Sequence, residues 1–208
     1  MKKLMKAMSL TLAASLVVAS LTACGGGEKT ETKAEGGAAA AGEDVFLIGA
    51  IGPVTGSAAS YGLSVKQGAQ VAIDEINAAG GVVVGDKTYT LDMEFADDEA
   101  TEDKAIQAYN TVMDKGADAI LGAVTSGACI AITDLTAADG ILQITPSGSA
   151  MECAKNDNAF RVCFTDPAQG VAMAELAAEK LGYKKVAVLY NNASDYSMGT
   201  VSYTHLRA

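Results

Sequence analysis

Short apolar runs alternate with amphipathic stretches along the chain from Val45 onward. The apolar runs predict buried strands, and apolar positions spaced three or four residues apart predict helices. The predicted strands are residues 45–50, 89–96, 119–121, 141–144, 160–164 and 185–190, and the predicted helices are residues 61–79, 101–115, 126–139 and 167–181. Strands separated by single helices are typical of an α/β fold with a doubly wound parallel sheet and helices on both faces.

Small hydroxyl residues follow two of these strands. Ser126 comes after the strand at 119–121, and Ser147 and Ser149 come after the next strand. Parallel strands end at one edge of a sheet, and ligands bind in the crevice beyond that edge. Ser126 also opens a helix, where it would serve either as a cap or as part of an anion site made of free amides. The pattern favours a receptor for a carboxylate that uses hydroxyls and amides without a fixed positive charge.

The first 43 residues differ from the rest of the chain in composition and contain no predicted strand or helix of the α/β fold. Three lysines precede the apolar run 8–18, which is too short to span a bilayer. The run Leu-Thr-Ala-Cys ending at Cys24 resembles the lipobox of bacterial lipoproteins, so we expect residues 1–23 to be a signal peptide and Cys24 to be lipidated. Residues 24–43, rich in Gly and Ala, predict a flexible tether. The expected location is extracytoplasmic, on the periplasmic or cell-surface side, with a lipid anchor in the cell membrane.

The charge excludes one class of partner. The chain carries a formal net charge of −10, which becomes −13 without residues 1–23 because they hold three lysines and no acid. Proteins that bind nucleic acids need basic surfaces, so we expect no nucleic acid partner. An uncharged or zwitterionic ligand fits better, and we expect the protein to be a monomer.

The four cysteines predict no metal site. No Cys-x-x-Cys motif is present, and the single histidine is His205. Cys153 and Cys163 flank a short turn, where a disulfide between them and a pair of free thiols are equally open alternatives. Cys129 is expected to be a small core residue.

The sequence gives little support for an enzymatic function. Ser126 lacks the Gly-x-Ser-x-Gly setting of a hydrolase nucleophile, and its histidine would have to be His205. The glycines at 49–56 do not form a dinucleotide-binding motif, and Asp97 and Asp98 are expected in a helix-capping loop rather than at a magnesium ion. We therefore expect no catalysis and no cofactor.

A series of motifs resembles the branched-chain amino acid (Leu/Ile/Val) binding proteins, the solute receptors of ABC importers. These motifs are GAIGPVTG at 49–56, ASYG at 59–62, EINAAGG at 75–81, TS at 125–126, ITPS at 144–147, FR at 160–161 with Asp166, Gln169 and Gly170, and DY at 195–196. The resemblance implies the type I periplasmic-binding (Venus-flytrap) fold. It places a first ligand-binding lobe at 44–166 and the start of an incomplete second lobe at 167–200, with an unmatched tail at 201–208.

The resemblance also implies roles for particular residues. Ser126 would bind the ligand carboxylate, Ser149 the carboxylate and ammonium, and Ser147 the ammonium through its backbone carbonyl. Tyr61 and Tyr196 would line the pocket from the two lobes, with plain packing or exposure as the alternative.

Asp166 would lie near the ammonium, but its position before Pro167 slightly favours a capping role at the start of that helix. The implied partners are an amino acid and an ABC importer permease. Another small polar solute (an amide, urea or a short peptide) is the alternative ligand, and an extracytoplasmic hydrolase is the less favoured alternative function.

Overall fold

The structure of the chain, a computed structural model, describes residues 44–202. The predicted signal peptide, Cys24 and the tether lie outside the described residues, as do His205 and most of the predicted tail.

Within residues 44–202, six strands form one sheet. They are β1 (Asp44–Gly52), β2 (Val82–Val84), β3 (Lys87–Asp97), β4 (Ala119–Leu121), β5 (Leu142–Thr145) and β6 (Ala159–Arg161), in the spatial order β2-β3-β1-β4-β5-β6. β1 pairs in parallel with both β3 and β4, and β4, β5 and β6 continue the parallel pairing. The predicted doubly wound parallel sheet is confirmed, and its parallel strands all end at the same edge.

The edge strand β2 is missing from the sequence prediction. It pairs antiparallel with β3, and the connecting turn uses Gly85 at a positive φ of 66°. All three valines of β2 are exposed, so the strand has no alternation of buried and exposed residues. Periodicity therefore gives no signal for it.

Residues 44–202 form five α-helices. They are α1 (Ala59–Ala78), α2 (Glu102–Asp114), α3 (Ser126–Asp139), α4 (Asp166–Glu175), which continues as a π-helical turn (Leu176–Lys180), and α5 (Asp195–Ser202). Right-handed crossovers place α1 on one face of the sheet and α2 and α3 on the other, because the chain reverses direction along the sheet after β3. The crevice where this reversal occurs, between β1 and β4, is where doubly wound sheets bind ligands.

The core lies between the sheet and the α2–α3 pair. Its buried members include Ile51, Tyr109, Val112, Ile120 and Ile132. The Tyr109 hydroxyl donates to Asp139 Oδ2 at 2.6 Å and so ties α2 to the end of α3. Burial of these side chains is what fixes α3, and with it the residues at its first turn, against the sheet.

Helix α1 is held to the opposite face by specific contacts. The Asn77 side chain donates to the Leu91 carbonyl and accepts from the Leu91 N–H, both at 2.8 Å. Near the start of the helix, a Cβ atom at Gly62 would lie 1.8 Å from the Pro53 carbonyl oxygen. Only glycine permits this approach, which brings α1 close to the loop that follows β1.

The last predicted strand, at 185–190, is wrong. These residues have no regular secondary structure and pair with no strand in the described part of the chain, and Val186, Val188 and Leu189 are exposed. A strand is stable only when its backbone groups have ladder partners. The chain then forms α5, which packs against α4. Among residues 44–202, no helix has both the length and the apolar composition that crossing a bilayer requires.

Candidate functional site

The first turn of α3 presents donors at the carboxyl edge of the sheet. Thr125 is the N-cap residue of α3, and its side chain makes no capping hydrogen bond. The Thr125 Oγ1 atom is buried and has no hydrogen-bond partner among the described residues. Ser126, at 5% exposure, is the first helical residue rather than the cap. A helix start with an uncapped first turn and a spare hydroxyl is suited to an anion.

The loop after β5 is fastened to the loop after β4 by side chain to backbone hydrogen bonds. Thr145 Oγ1 donates to the Ala123 carbonyl at 2.7 Å, and Ser147 Oγ donates to the Val124 carbonyl at 2.6 Å. The Ala150 N–H donates to Ser126 Oγ at 3.3 Å. The two hydroxyl-bearing loops are therefore neighbours at one edge of the sheet, with Ser149 next to the residue that contacts Ser126.

Arg161, the last residue of β6, holds the same loop from the other side. Its Nη1 donates to the carbonyl of Ser149 at 3.1 Å and to that of Ala150 at 2.6 Å, and its Nη2 donates to the Met151 carbonyl at 3.2 Å. The planar guanidinium suits this fan of three carbonyls. Arg161 is absent from the predicted ligand residues, although a cation at the carboxyl end of a strand is a usable signal.

Asp166 is fully buried at the start of α4, and neither of its carboxyl oxygens has a hydrogen-bond partner in the described part of the chain. Its N–H donates to the Ser149 carbonyl at 3.0 Å. Burial raises the pKa of Asp166, while the nearby Ser149 hydroxyl and Arg161 guanidinium act to lower it. The predicted capping role is wrong: the cap is Thr165, whose side chain accepts from the Ala168 N–H. Asp166 is thus a buried acid whose carboxyl oxygens lie beyond hydrogen-bond distance of any described group, with the Ser149 hydroxyl and the Arg161 guanidinium near it.

A cleft of about 510 Å³ opens beside Asp166. One wall is formed by Ile130 and residues 150–152, and the other by residues of α4 and α5, including Asp195 and Gly199. The volume lies in the range of small-molecule sites, about 300–1,000 Å³. The Asp195 carboxylate also lies against the first turn of α3, because a Cβ atom at Gly127 would be 3.2 Å from its Oδ2.

The structure brings together four of the six predicted ligand residues: Ser126, Ser147, Ser149 and Asp166. Of these four, only Asp166 lines the cleft, and the predicted contacts of the two tyrosines stay predictions. Tyr61 is 67% exposed on α1, and the Tyr196 hydroxyl accepts from Gln169 Nε2 at 2.9 Å, which ties α5 to α4. Neither tyrosine lines the cleft. Thr125 and Arg161 join the site instead, and both were found only through their spatial neighbours.

The loop after β3 supports the loop after β1. Asp97 accepts from the Val54 N–H at 3.0 Å and from Thr55 Oγ1 at 2.6 Å. Asp98 is fully buried, and its Oδ1 accepts from the Ala100 N–H at 2.9 Å. Burial, opposed by that hydrogen bond, raises the pKa of Asp98 to about 6. Both aspartates therefore shape the loop, and no cluster of His, Cys, Asp or Glu suited to a metal is present in residues 44–202.

The disulfide alternative for Cys153 and Cys163 is not formed in the structure, where Cys129, Cys153 and Cys163 are all free. The Cys153 thiol instead points into the core and donates to the Ser126 carbonyl at 3.6 Å. Cys163 is only half-buried beyond the end of β6. Cys129 is buried in the core, as the sequence analysis expected.

Known proteins share this arrangement of elements. Residues 46–207 match the sequence pattern of the family described as periplasmic binding protein. The Leu/Ile/Val-binding protein BraC3 of Rhizobium johnstonii is 36% identical over 156 residues, which cover 74% of this chain and 41% of BraC3. The chain thus spans about two fifths of the length of that curated relative.

Two solved structures superpose well. One is the branched-chain amino acid transporter substrate-binding protein LivJ of Streptococcus pneumoniae in complex with isoleucine, with a TM-score of 0.71 and 32% identity over 77% of this chain and 46% of LivJ. The other is the leucine-binding protein LivK of Thermotoga maritima, with a TM-score of 0.69 and 30% identity over 76% of this chain and 44% of LivK. The chain therefore belongs to the periplasmic binding protein family, a class of extracytoplasmic binding proteins with the type I α/β fold.

Proposed function

We propose that the chain is the ligand-binding part of an extracytoplasmic lipoprotein that captures a branched-chain amino acid and delivers it to an ABC importer permease. The names of BraC3 and LivJ, and the isoleucine bound to LivJ, support the choice of ligand. The chain spans less than half of each of these proteins, so the support for this activity has to come from its own residues.

The carboxylate of the amino acid binds at the first turn of α3. The observation that carries this proposal is the buried Thr125 hydroxyl, which has no partner among residues 44–202, beside an uncapped helix start. The adjacent Ser126 hydroxyl already accepts from the Ala150 N–H, so its own proton is free to be donated to a ligand oxygen. Hydroxyls, helix amides and the helix dipole together stabilise a carboxylate without a cation.

The ammonium of the amino acid binds toward Asp166. This buried carboxyl group has no hydrogen-bond partner in the described chain and lines the cleft. The Asp166 N–H donates to the Ser149 carbonyl, and the N–H of the next residue, Ala150, donates to Ser126 Oγ. These hydrogen bonds hold the acid and the hydroxyl residues close together. The Ser149 hydroxyl and the Ser147 carbonyl complete this end of the site. An amino acid zwitterion, whose ammonium and carboxylate groups are both attached to Cα, matches such a polar pair.

Delivery uses hinge closure between the lobe at 44–166 and the lobe that starts at 167–200. A ligand held by the first lobe adds contacts to the second and stabilises the closed form, which the importer recognises. The cleft between residues 150–152 and α5 is the place for those contacts. Tyr61 and Tyr196 reach the ligand side chain only in that closed form. No covalent bond changes, so the protein binds without catalysis.

A titration of the full chain by calorimetry tests the binding proposal. We expect saturable binding of leucine, isoleucine or valine. Isocaproate, which is leucine without its amino group, and leucinamide, which lacks the carboxylate, should each bind about 10- to 100-fold more weakly because each loses a charge-assisted contact. Equal affinity for leucine and isocaproate would remove Asp166 from the site. Binding of urea or a short peptide in place of all three amino acids would favour the alternative ligand class.

Lipid anchoring is a separate proposal, with residues 1–23 as the signal peptide, Cys24 as the acylated residue and residues 24–43 as the tether. Bacterial expression with an alkyne-tagged fatty acid tests it. The wild-type chain should be labelled and Cys24→Ser should not, while the matched control Cys163→Ser should keep the label. Equal labelling of wild type and Cys24→Ser would disprove the anchor and leave the binding proposal intact.

A further inference from the structure

Two buried cysteines meet directly behind the candidate site. Cys129 lies in the first turns of α3, and Cys153 lies in a short 3-10 turn (Met151–Ala154) that follows the Ser147–Ser149 loop. Both are fully buried. The two thiols interact with each other, and the Cys129 Sγ atom lies 3.9 Å from the Cys153 carbonyl oxygen.

The pair is in contact with both hydroxyl-bearing loops. Cys153 donates to the Ser126 carbonyl at 3.6 Å, and Gln143 Nε2 donates to Cys129 Sγ at 3.3 Å. Gly148 lies directly over the two cysteines, since a Cβ atom there would be 3.0 Å from Cys153 Sγ and 3.1 Å from Cys129 Cβ. Any bond between the two sulfurs would therefore join the α3 side of the site to the Ser147–Ser149 side.

We propose that Cys129 and Cys153 are a disulfide-forming pair, which closes in the oxidising extracytoplasmic compartment and locks the two loops of the site together. Cysteines that face each other are oxidised readily in that compartment. The loop closed by the bond spans the 24 residues that separate the two positions, which is long enough for a substantial reduction in the entropy of the unfolded chain.

The chemistry balances with a small disulfide such as oxidised glutathione as the oxidant. The thiolate of one cysteine attacks a glutathione sulfur, forms a mixed disulfide and releases one glutathione thiolate. The thiolate of the other cysteine then attacks the protein sulfur of that mixed disulfide and releases the second glutathione. The protein loses two protons and two electrons, and the oxidant becomes two molecules of reduced glutathione. Because both thiols are buried in the folded protein, the exchange takes place as the chain folds.

Cys163 serves as an internal control for the specificity of the proposed Cys129–Cys153 bond. It lies only ten positions from Cys153, but it is half-buried and free in the structure. Cys129 has a pKa that its hydrogen bond with Cys153 lowers against the effect of burial, whereas burial raises the pKa of Cys163. The same hydrogen bond, together with burial, raises the pKa of Cys153, so this contact changes the pKa of both thiols of the pair.

Peptide mapping of the full chain tests the proposal. The reduced, unfolded protein is refolded in a mixture of reduced and oxidised glutathione, treated with iodoacetamide and digested with trypsin without reduction. Cleavage after Lys115, Lys155, Arg161 and Lys180 places Cys129 and Cys153 together in peptide 116–155 and Cys163 alone in peptide 162–180. We expect peptide 116–155 unalkylated and two hydrogen masses lighter than its reduced form, and peptide 162–180 alkylated or carrying glutathione.

Two other results would overturn the proposal: alkylation of both thiols in peptide 116–155, or a bond that links peptide 116–155 to peptide 162–180. The same redox mixture in concentrated urea should give little of the internal bond, since only the folded chain holds the two sulfurs together. Reduction should lower the Tm of the wild type and of Cys163→Ser by about 5–10 °C and leave the Tm of Cys129→Ala unchanged. None of these readings depends on a ligand, so they stand apart from the binding proposal.

Discussion

The Ala150 N–H donates a hydrogen bond to Ser126 Oγ at 3.3 Å, and this contact joins the loop after β5 to the first turn of α3. Because the donor is a backbone group, the hydroxyl of Ser126 keeps its own proton for another acceptor. Ser126 therefore has a structural role in the free protein, and the binding role proposed for it uses the remaining proton.

Ser126→Ala should weaken both functions of that hydroxyl. It removes the acceptor of the Ala150 N–H and one donor to the ligand carboxylate. We expect a loss of affinity for leucine of about 10- to 100-fold, or about 1.5–3 kcal/mol, in a calorimetric titration. The control Ser64→Ala removes a hydroxyl that bonds only to the Ser60 carbonyl on exposed α1. Unchanged affinity in Ser126→Ala would remove Ser126 from the site.

Thr125→Val should separate binding from stability. The valine keeps the shape of threonine but lacks the buried hydroxyl, which has no partner among the described residues. Loss of an unsatisfied polar group is neutral or stabilising for the fold, so the Tm should stay the same or rise. Affinity for leucine should fall about 10-fold. A lower Tm with unchanged affinity would show that this hydroxyl serves the fold instead. The control is Thr111→Val, at an exposed position of α2.

Arg161→Lys should loosen the Ser149 loop, because an ammonium cannot reproduce the three hydrogen bonds of the guanidinium to the carbonyls of residues 149–151. We expect the free energy of unfolding in urea to fall by about 1–3 kcal/mol. The control is Lys155→Met, which removes an exposed ion pair with Asp134 and should cost less than about 1 kcal/mol. Equal effects of the two substitutions would contradict a positioning role for Arg161.

Asp166 should make binding depend on pH. Its pKa is raised by burial, so its carboxyl group takes up a proton at a higher pH than an ordinary aspartate and then no longer attracts an ammonium. We expect affinity for leucine to fall as the pH is lowered through this raised pKa. Asp166→Asn should bind more weakly at neutral pH and show no such fall. A wild-type affinity that stays constant from pH 7 to pH 4 would contradict the assignment.

Asp98 and Asp97 should affect stability in opposite directions. The pKa of Asp98 is about 6 in the folded chain and about 4 when unfolded, so the folded state holds the proton more tightly. The free energy of unfolding should therefore fall as the pH rises from about 4 to about 6. Asp98→Asn keeps the acceptor for Ala100 and should be more stable at pH 7 by about 2 kcal/mol, after allowance for screening.

Asp97 provides the matched comparison. Burial acts to raise its pKa, but the hydrogen bonds from Thr55, Glu99 and Val54 outweigh that effect and lower it. Asp97→Asn should therefore lose stability at pH 7, and the wild-type contribution should disappear as the pH falls through the lowered pKa. Urea unfolding at several pH values measures both variants. The same sign of change in both would contradict this account.

Local patterns in the sequence were sufficient for much of the fold. The bounds predicted for β4 and α3 agree with the structure, because a short apolar run and a C-cap glycine, Gly140 at a φ of 68°, mark them clearly. Residues 185–190 have the same kind of apolar signal but lack a neighbouring strand, and β2 has the neighbour but lacks the signal. Strand formation depends on partners as well as on composition, so periodicity alone misjudged both.

The candidate site was predictable only in part. Ser126, Ser147 and Ser149 follow strands and could be located by counting from them. The free hydroxyl of Thr125 and the contacts of Arg161 depend on residues that are distant in sequence, and no local pattern reports them. For Asp166, the sequence placed the residue at a helix start, but only the structure shows that Thr165 provides the cap and leaves the acid free.

The exposed apolar segment at 185–190 has a consequence for handling the protein. Its apolar side chains, including Val186 and Leu189, face solvent, and its backbone belongs to no sheet in the described chain. A short run with high β propensity and no charge from Val186 to Tyr190 is a template onto which other molecules can add as strands. Concentrated samples should therefore aggregate through this segment, and a lysine introduced at Val188 should keep them dispersed.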